Sequence, residues 1–364
     1  MYNRLKTIQN KSITPVNPMP AQTKKKRLST NRSGLTEDQL RKKFDTAKLA
    51  LLGNDTNMGV LVELDVEVLL SFIAILSKLN YLMLGPSGEG KTFTAESVFS
   101  CFSDDVTKMV RQVNAQTKES QLFGIPPHSE MSEGSMRRNL QGTMAACELI
   151  YIDELGKANP SLLTVLMRLA NEKQVDNFDE MVDALLHCMI ASSNEPPNKN
   201  VIGFPQRFPL KNNVKRVSWD GRRRYVKAIQ SGGRKTVADS CKISIDQLMD
   251  AQDIVQVMTL PDSMIDAAAH IGGIIDGSMT KTNTNATTGP TKSGICSIDT
   301  RKWAWAMTVL KANVFLSGRK PEYSHLSVLQ HVFWDEPKHA RAVAETVNDY
   351  IQTKTKRLTD VTFK

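Results

Sequence analysis

The sequence predicts an α/β fold, in which a mostly parallel sheet covered by helices is followed by a helical second domain. The first observation is that short apolar runs alternate with helical stretches from Tyr81 to Ser192. The second is a glycine-rich segment, residues 85–92, between the first of these runs and a helical stretch. The third is that the pattern after Val217 is mainly helical. A chain of 364 residues, 40% of them hydrophobic, can bury a large core and a smaller second one.

Basic residues are concentrated in particular stretches of the chain. There are 47 basic and 38 acidic residues, a formal net charge of +9, but residues 1–36 hold eight basic side chains and no acidic one. The remainder is therefore close to neutral, which excludes a histone-like or strongly basic nucleic-acid protein. Because residues 1–36 are also polar and proline-punctuated, they are predicted to be a disordered basic arm.

Membrane and disulfide signals are missing from the sequence. No apolar run reaches the length of about 18 residues that spans a membrane, and the best candidate, Val66–Leu76, contains Glu67. No apolar segment follows the basic N-terminus, so a secretory signal is not expected. Five widely spaced cysteines without a C-x-x-C pair, and six scattered histidines, argue against a disulfide framework or a zinc site. We expect a cytoplasmic protein with reduced thiols and no membrane span.

The core domain is predicted to cover residues 37–217. Thr36 is expected to cap a helix that runs towards Leu52, and a second helix is expected over Val66–Leu79. The predicted strands are the apolar runs Tyr81–Leu84, Thr107–Val113, Glu148–Ile152 and Leu185–Ser192.

The remaining chain is divided into three parts by composition. Residues 218–277 are predicted to be a linker and the start of a helical domain, with a turn at Leu260-Pro261. Residues 278–296, rich in Thr, Asn, Gly and Lys, are expected to be a flexible insertion. Residues 297–364 again have a helical pattern and complete the second domain.

The glycine-rich segment has the pattern G-x-x-x-x-G-K-[ST] of a phosphate loop. Its residues are Gly85, Pro86, Ser87, Gly88, Glu89, Gly90, Lys91 and Thr92. Glycines let backbone N–H groups surround a phosphate, and the N-terminus of the following helix adds positive potential. We expect Lys91 to contact the β- and γ-phosphates of ATP and Thr92 to ligate Mg²⁺. The alternative, a coincidental glycine-rich turn, does not account for its position between a strand and a helical run.

The third apolar run ends in two acidic residues, Asp153 and Glu154, 62 and 63 residues after Lys91. Ligands bind at the carboxyl ends of parallel strands, so Asp153 is expected to hold Mg²⁺ and to contribute to the nucleotide site. Glu154 is expected to orient and deprotonate the attacking water. A strand running into solvent is the alternative. The absence of an N-K-x-D segment favours ATP over GTP.

Two further polar residues are candidates for catalysis. Asn194 follows the fourth run and is expected to hold the attacking water or the γ-phosphate, although an asparagine before prolines also commonly starts a turn. Arg207 lies near the edge of the predicted core domain and is expected to stabilise phosphate charge across a subunit boundary. An ordinary surface arginine is the alternative for Arg207.

These motifs and their order resemble an AAA+ ATPase of the MoxR branch, and more narrowly the RavA (regulatory ATPase variant A) type. The resemblance runs from about Asp65 to about Glu336 and implies a P-loop AAA+ core followed by an α-helical lid domain. The segments that carry it are Gln121–Gly124, Leu149–Val175, Ala191–Pro197, Thr259–Asp262, Asp299–Trp303 and Phe315–Arg319.

The resemblance implies a role for each of three arginines. Arg207 would be the arginine finger, although Gln206 replaces the usual acid, and Arg216 is a weaker alternative finger. Arg301 would be the sensor 2 arginine of the lid, for which a solvated arginine at a helix start is the alternative. RavA-type chains usually carry a further β-rich domain, and this sequence stops at Lys364, so their lysine-decarboxylase partnership is not carried over. Relatives commonly work with a von Willebrand factor A partner.

The leading hypothesis is an ATP-hydrolysing ring, a homo-oligomer of six subunits, that remodels a protein partner in the manner of a chaperone. The alternative is a nucleic-acid-associated motor or loader, because residues 207–235 hold ten basic side chains against Asp220 alone. Core packing, and not an exposed surface for stacking bases, is expected for most of the four tryptophans.

A third hypothesis, an ATP-binding scaffold without turnover, is disfavoured by the acid pair. Ile125–Met136 is a candidate pore segment.

Overall fold

The computed structural model describes residues 31–54, 57–58, 61–128, 131, 136–194, 207–230, 237–279 and 294–362. Most of the predicted arm and of the predicted insertion therefore lie outside the described residues. Residues 31–36 of the arm contact the helical region, since the Arg32 guanidinium pairs with Asp250 at 3.0 Å. At the end of the predicted insertion, the Ile295 N–H donates to the Ile275 carbonyl at 2.7 Å.

The strands form one parallel sheet and two short antiparallel pairs. They are β1 Gly53–Asn54, β2 Asn57–Met58, β3 Tyr81–Leu84, β4 Lys108–Gln112, β5 Leu149–Asp153, β6 Gln174–Asn177, β7 Glu180–Asp183, β8 Cys188–Ser193 and β9 Leu210–Asn213. The main sheet has five strands in the order β4-β5-β8-β3-β9, all parallel. β1 pairs with β2, and β6 pairs with β7.

The helices surround this sheet and make up most of the described chain after β9. They are α1 Glu37–Leu52, α2 Asp65–Ser77, α3 Lys91–Phe99, α4 Ser120–Phe123, α5 Pro160–Glu172, α6 Trp219–Gln230, α7 Ile245–Val257, α8 Asp262–Asp276, α9 Thr300–Ser317 and α10 Ala340–Thr362. Short 3₁₀ segments lie at Met144–Ala146, Leu155–Lys157, Asp239–Cys241, Tyr323–His331 and Pro337–His339. The α/β class with a following helical region is thereby confirmed.

The predicted N-terminal cap and helix are present. Thr36 Oγ1 accepts a hydrogen bond from the Gln39 N–H at 3.3 Å, and Gln39 Oε1 accepts one from the Thr36 N–H at 2.8 Å. These reciprocal bonds satisfy two donors at the start of α1. The second predicted helix ends at Ser77 because Lys78 adopts a left-handed conformation, with φ of 55°.

The four predicted strands are confirmed, β3 with its predicted bounds and β4, β5 and β8 with shifted ends, but the fifth strand of the main sheet, β9, was not predicted. Only Leu210 of its four residues is apolar, so no hydrophobic run marks it. It pairs with β3 in parallel, with Leu210 opposite Tyr81. β3 and β8 are buried along their whole lengths, as expected for strands covered on both faces.

An aromatic cluster joins the sheet-covering helices to the C-terminal helical region. The Phe44 ring of α1 makes edge contacts with Phe72 of α2, at a centroid distance of 6.2 Å, and with Phe315 of α9, at 6.1 Å. Edge-to-face pairs of this kind add to the apolar area that is buried. Along the described part of the chain, no helix is both long enough and apolar enough to cross a membrane.

Candidate functional site

The phosphate loop joins β3 to α3 and depends on its glycines. Gly88 and Gly90 have φ of 84° and 79°, in the left-handed region that favours glycine. A Cβ on Gly85 would lie 2.9 Å from the Val214 carbonyl oxygen, so a side chain has no room there. Since α3 begins at the end of this loop, its free N–H groups face the space that the loop surrounds. The arrangement is suited to binding a phosphate group.

The ammonium group of Lys91 lies inside the loop. Its Nζ donates to the carbonyl oxygens of Gly85 at 2.7 Å and Pro86 at 2.6 Å, and to Oδ1 of Asn194 at 2.8 Å. These acceptors use the three donors of the ammonium group. Lys91 is only 5% exposed, and this burial lowers its pKa. A bound phosphate would offer charged acceptors in place of these neutral ones.

Thr92 and Asp153 meet at the carboxyl end of the sheet. Thr92 Oγ1 donates to Asp153 Oδ2 at 2.8 Å. The other oxygen of this carboxylate, Oδ1, accepts hydrogen bonds from Ser192 Oγ and from the Glu154 N–H, the latter at 2.9 Å. A hydroxyl and a carboxylate oxygen are ligands that suit Mg²⁺, which takes its other ligands from water and substrate phosphates. The described residues contain no cluster of three or more His, Cys, Asp or Glu side chains fit to hold a metal.

The carboxylate of Glu154 is held by two partners that the sequence did not reveal. Its Oε1 lies 2.7 Å from Lys157 Nζ, and its Oε2 accepts a hydrogen bond from Gln112 Nε2 at 3.0 Å. Both hydrogen bonds lower the pKa of Glu154, and the bond from Lys157 has the larger effect. Gln112 is the last residue of β4 and lies opposite Asp153 in register. A polar residue near the end of the second predicted strand, which is β4 in the structure, is the signal that could have identified Gln112.

Asn194 lies directly after β8 and contacts both sides of the site. Its Oδ1 accepts a hydrogen bond from Lys91 Nζ, and its Nδ2 lies 3.4 Å from Glu154 Oε1. The structure thus brings together Lys91, Thr92, Asp153, Glu154 and Asn194, all of which were selected from the sequence.

Arg207 does not belong to this group of side chains within one chain. It is exposed and lies three residues before β9, whose first residue, Leu210, pairs with Tyr81 at the start of β3. The phosphate loop follows the opposite end of β3. Arg207 is therefore at the amino edge of the sheet, whereas Lys91 of the same chain is at the carboxyl edge.

Arg301 is also apart from the phosphate loop. It is exposed in the first turn of α9, and its guanidinium carbon lies 5.9 Å from the centre of the Trp305 ring. Within the described part of the chain, no hydrogen bond or ion pair joins Arg301 to the loop.

The segment before α6 is attached to the phosphate loop. Glu89 accepts a hydrogen bond from the Val217 N–H at 3.2 Å, and its carboxylate lies 3.8 Å from Arg216 Nε. Arg216, the alternative finger, therefore contacts the loop of its own chain. Glu63, which no sequence motif marks, accepts a hydrogen bond from the Ser218 N–H at 2.7 Å and so anchors the start of α6.

The outer surface of α6 is basic and includes an exposed aromatic side chain. Trp219 is 79% exposed, whereas Trp334 is buried. The exposed basic residues of α6 are Arg222, Arg223, Arg224 and Lys227.

A cleft of about 700 Å³ opens between α4, α5 and the β6–β7 hairpin. Ile125, Met136 and Phe178 line it, and all three side chains are largely exposed. Ile125 and Met136 are the ends of the predicted pore segment, of which residues 129–130 and 132–135 lie outside the described part.

Comparison with known proteins identifies a family. The family model described as the MoxR domain in the MoxR-vWA-beta-propeller ternary systems matches residues 49–253, more than half of the chain. The uncharacterized protein MJ0079 of Methanocaldococcus jannaschii is 23% identical over 287 residues, which are 78% of this chain and 69% of that protein. Heat shock protein 104 of Schizosaccharomyces pombe is 31% identical over 120 residues, 32% of this chain but 13% of that protein.

A solved structure supports the fold. The crystal structure of a candidate ATPase from Cytophaga hutchinsonii matches with a TM-score of 0.57 at 14% identity, covering 85% of this chain and 86% of the other. At that identity the likeness concerns the fold alone. Together with the phosphate loop, the acid pair and the sheet that joins them, the family match shows that this chain belongs to the MoxR family of AAA+ ATPases.

Proposed function

We propose that this ATPase is one subunit of a ring, a homohexamer, that uses ATP hydrolysis to remodel a protein partner. The observation that carries the proposal is the separation of Arg207 from the other site residues. Lys91, Glu154 and Asn194 share the carboxyl edge of the sheet, while Arg207 is exposed at its amino edge. An arginine in that position reaches a phosphate only on a neighbouring copy, and head-to-tail contacts of this kind form a ring when the rotation between copies closes.

The chemistry proposed for each subunit follows from its own contacts. On ATP binding, Lys91 exchanges its carbonyl acceptors for the β- and γ-phosphates. Thr92 and Asp153 would hold Mg²⁺, which neutralises charge on the phosphates when bound. Glu154 accepts a proton from the attacking water, and Asn194 orients that water or the γ-phosphate.

Arg207 is proposed to act across the subunit boundary, and Arg301 is proposed to act from the lid. Arg207 of one copy would stabilise charge on the transferring phosphate of the next copy. Arg301 would act as a sensor 2 residue once α9 brings it to the nucleotide. This assignment follows the resemblance of Asp299–Trp303 and Phe315–Arg319 to the RavA type, which we propose as the branch within MoxR.

The proposed partners are proteins. The matching family is described by its place in MoxR-vWA-beta-propeller ternary systems, so we propose a von Willebrand factor A protein and a β-propeller protein as companions. Remodelling of a client is supported by the local similarity to proteins named as chaperones, among them ClpB of Mycoplasmoides gallisepticum, 28% identical over 126 residues. We place the assembly in the cytoplasm.

A second candidate function, nucleic-acid binding, is favoured by the exposed surface of α6. Trp219 offers a ring on which a base could stack, and the neighbouring arginines offer cations for phosphates. The test is iodide quenching of tryptophan fluorescence with and without oligothymidine, with Trp219→Phe as reference. Salt-sensitive protection of Trp219 would support this function, and unchanged quenching would exclude it for α6.

The remodelling proposal is tested by measuring ATP turnover and mass in solution for the wild type, Glu154→Gln and Glu172→Gln. Glu172 is a matched control because it is an exposed acid at the end of α5, away from the site. We expect ATP to drive ring formation, Glu154→Gln to bind ATP but hydrolyse it at least 100-fold more slowly, and the control to resemble the wild type. Full turnover by a strict monomer would contradict the ring.

A further inference from the structure

Ser192 is a fully buried hydroxyl on the strand beside the acid pair. We propose that it is a positioning residue, which sets the orientation of the Asp153 carboxylate and of the Glu154 turn for magnesium-dependent hydrolysis. This inference rests on the proposed magnesium site at Thr92 and Asp153. Neither the sequence motifs nor the family match assigns a role to Ser192.

Strand register places Ser192 beside Asp153. β5 and β8 are parallel, with Ile152 opposite Ala191, so the next residue on each strand reaches the carboxyl edge of the sheet together. Ser192 Oγ donates a hydrogen bond to Asp153 Oδ1. The two residues are 39 positions apart in sequence, so the contact forms only because the sheet places their strands side by side.

The two carboxylate oxygens of Asp153 have different hydrogen-bond partners. Oδ1 accepts from Ser192 and from the Glu154 N–H, whereas Oδ2 accepts from the Thr92 hydroxyl at 2.8 Å. The terminal torsion of an aspartate is soft, so its carboxylate needs fixed donors to hold one orientation. Ser192 supplies such a donor on one side and leaves Oδ2 directed towards Thr92, the other proposed magnesium ligand.

Ser192 also lies next to the backbone turn at Glu154. Glu154 has φ of 57° and ψ of 34°, a left-handed conformation that costs energy for a residue with a side chain. Its N–H lies 3.4 Å from Ser192 Oγ in addition to its bond with Asp153. The same hydroxyl therefore contacts the metal-binding carboxylate and the backbone of the proposed base.

No other described side chain duplicates this contact at comparable distance. The Tyr151 hydroxyl lies 3.4 Å from Asp153 Oδ1 and 3.3 Å from Thr92 Oγ1, so these two contacts are long. Because Ser192 is wholly buried, its hydroxyl makes no contact with solvent. Removal of the Ser192 hydroxyl would leave Oδ1 with the Glu154 N–H as its one short donor.

The experiment compares Ser192→Ala with Ser71→Ala. Ser71 is an equally buried serine on α2, and its Oγ donates to the Glu67 carbonyl, so it controls for loss of a buried hydroxyl. Three quantities are measured: binding of a fluorescent ATP analogue in EDTA, the Mg²⁺ concentration for half-maximal binding enhancement and turnover, and kcat at saturating Mg²⁺. For Ser192→Ala we expect unchanged binding in EDTA, a Mg²⁺ requirement about tenfold higher and a kcat about tenfold lower.

The outcomes separate this inference from the proposed magnesium site. If wild-type turnover does not depend on Mg²⁺, the magnesium site and the role of Ser192 are both refuted. If the wild type depends on Mg²⁺ and Ser192→Ala behaves like Ser71→Ala, whether both are normal or both impaired, the role of Ser192 alone is refuted. Should Ser192→Ala fail to fold, Ser192→Cys, with a weaker donor of similar size, is expected to raise the Mg²⁺ requirement in the same direction, and an unchanged requirement overturns the role.

Discussion

Lys91 and Asn194 are joined by a hydrogen bond of 2.8 Å between Nζ and Oδ1, although they are 103 residues apart in sequence. The bond links the phosphate loop to the end of β8, the strand between β3 and β5 in the sheet. The amide nitrogen of Asn194 faces Glu154, so a neutral side chain lies between the cation and the proposed base. In the proposed mechanism, this is the position where the terminal phosphate of ATP and the attacking water meet.

The position of Asn194 predicts different effects for two substitutions. Asn194→Ala is expected to lower kcat about 100-fold with little change in ATP affinity, because it removes an orienting group from the reaction. Asn194→Asp is expected to weaken ATP binding at least tenfold as well, since it places a further carboxylate beside Lys91 and the phosphates. Nucleotide titration and steady-state turnover of both variants measure these effects. Equal ATP affinities for the two variants would contradict the prediction.

The partners of Glu154 predict a change in the pH dependence of turnover. Hydrogen bonds from Lys157 and Gln112 lower the pKa of Glu154, so the base stays ionised to lower pH than an ordinary glutamate. In the double variant Lys157→Ala, Gln112→Ala the pKa rises towards the ordinary value, and the acid limb of the kcat profile is expected to move to higher pH. Turnover between pH 4 and 7 measures the shift. An acid limb that stays at the wild-type pH would show that these two bonds do not set the pKa.

Lys91 and Arg207 lie at opposite edges of the sheet. We therefore expect two variants that are each inactive to recover activity when they are mixed. Lys91→Ala and Arg207→Ala are each expected to be inactive, whereas an equal mixture should recover about a quarter of the wild-type activity if subunits assemble randomly. The recovered activity comes from boundaries where an intact loop meets an intact arginine. Mixing Arg207→Ala with the double variant Lys91→Ala, Arg207→Ala is the matched control and stays inactive. Recovery in that control, or none in the first mixture, would argue against action across a boundary.

The burial of Lys211 predicts how stability depends on pH. Its Nζ donates to the Phe208 carbonyl at 2.8 Å and lies 3.9 Å from Asp335, and burial lowers its pKa to about 8. The unfolded chain, with a lysine pKa of about 10.4, binds more protons between these values, so the unfolding free energy should rise with pH over that range. Over about two pKa units the contribution is at most about 3 kcal/mol.

Two methionine substitutions isolate this contribution. Lys211→Met should show a smaller rise in unfolding free energy between pH 8 and 10 than the wild type, with the remainder contributed by Lys173, whose pKa is also lowered by burial to about 8. Lys227→Met, at an exposed position on α6, should keep the full rise. Urea unfolding at several pH values provides the measurement. The same slope in Lys211→Met and the wild type would mean that Lys211 titrates normally in the folded state.

Contiguous patterns account for what could be predicted from the sequence. The phosphate loop and the acid pair each lie within a few residues of an apolar strand, so residue type and strand end were visible together. Because parallel strands align their carboxyl ends, Lys91, Asp153, Glu154 and Asn194 were expected to meet, and they do. β9 was missed because its burial depends on distant partners, including the contact of Lys211 with Asp335.

The sequence by itself determined the α/β class, the phosphate loop and which acidic and amide residues meet beside that loop. Only the tertiary structure decided that Gln112 and Lys157 hold Glu154, that Ser192 orients Asp153, and that Arg207 lies at the far edge of the sheet. The physical reason is that a local pattern specifies how a strand forms and ends. The neighbours of its terminal side chains depend on strand order and register, which arise from packing between segments that are distant in the chain.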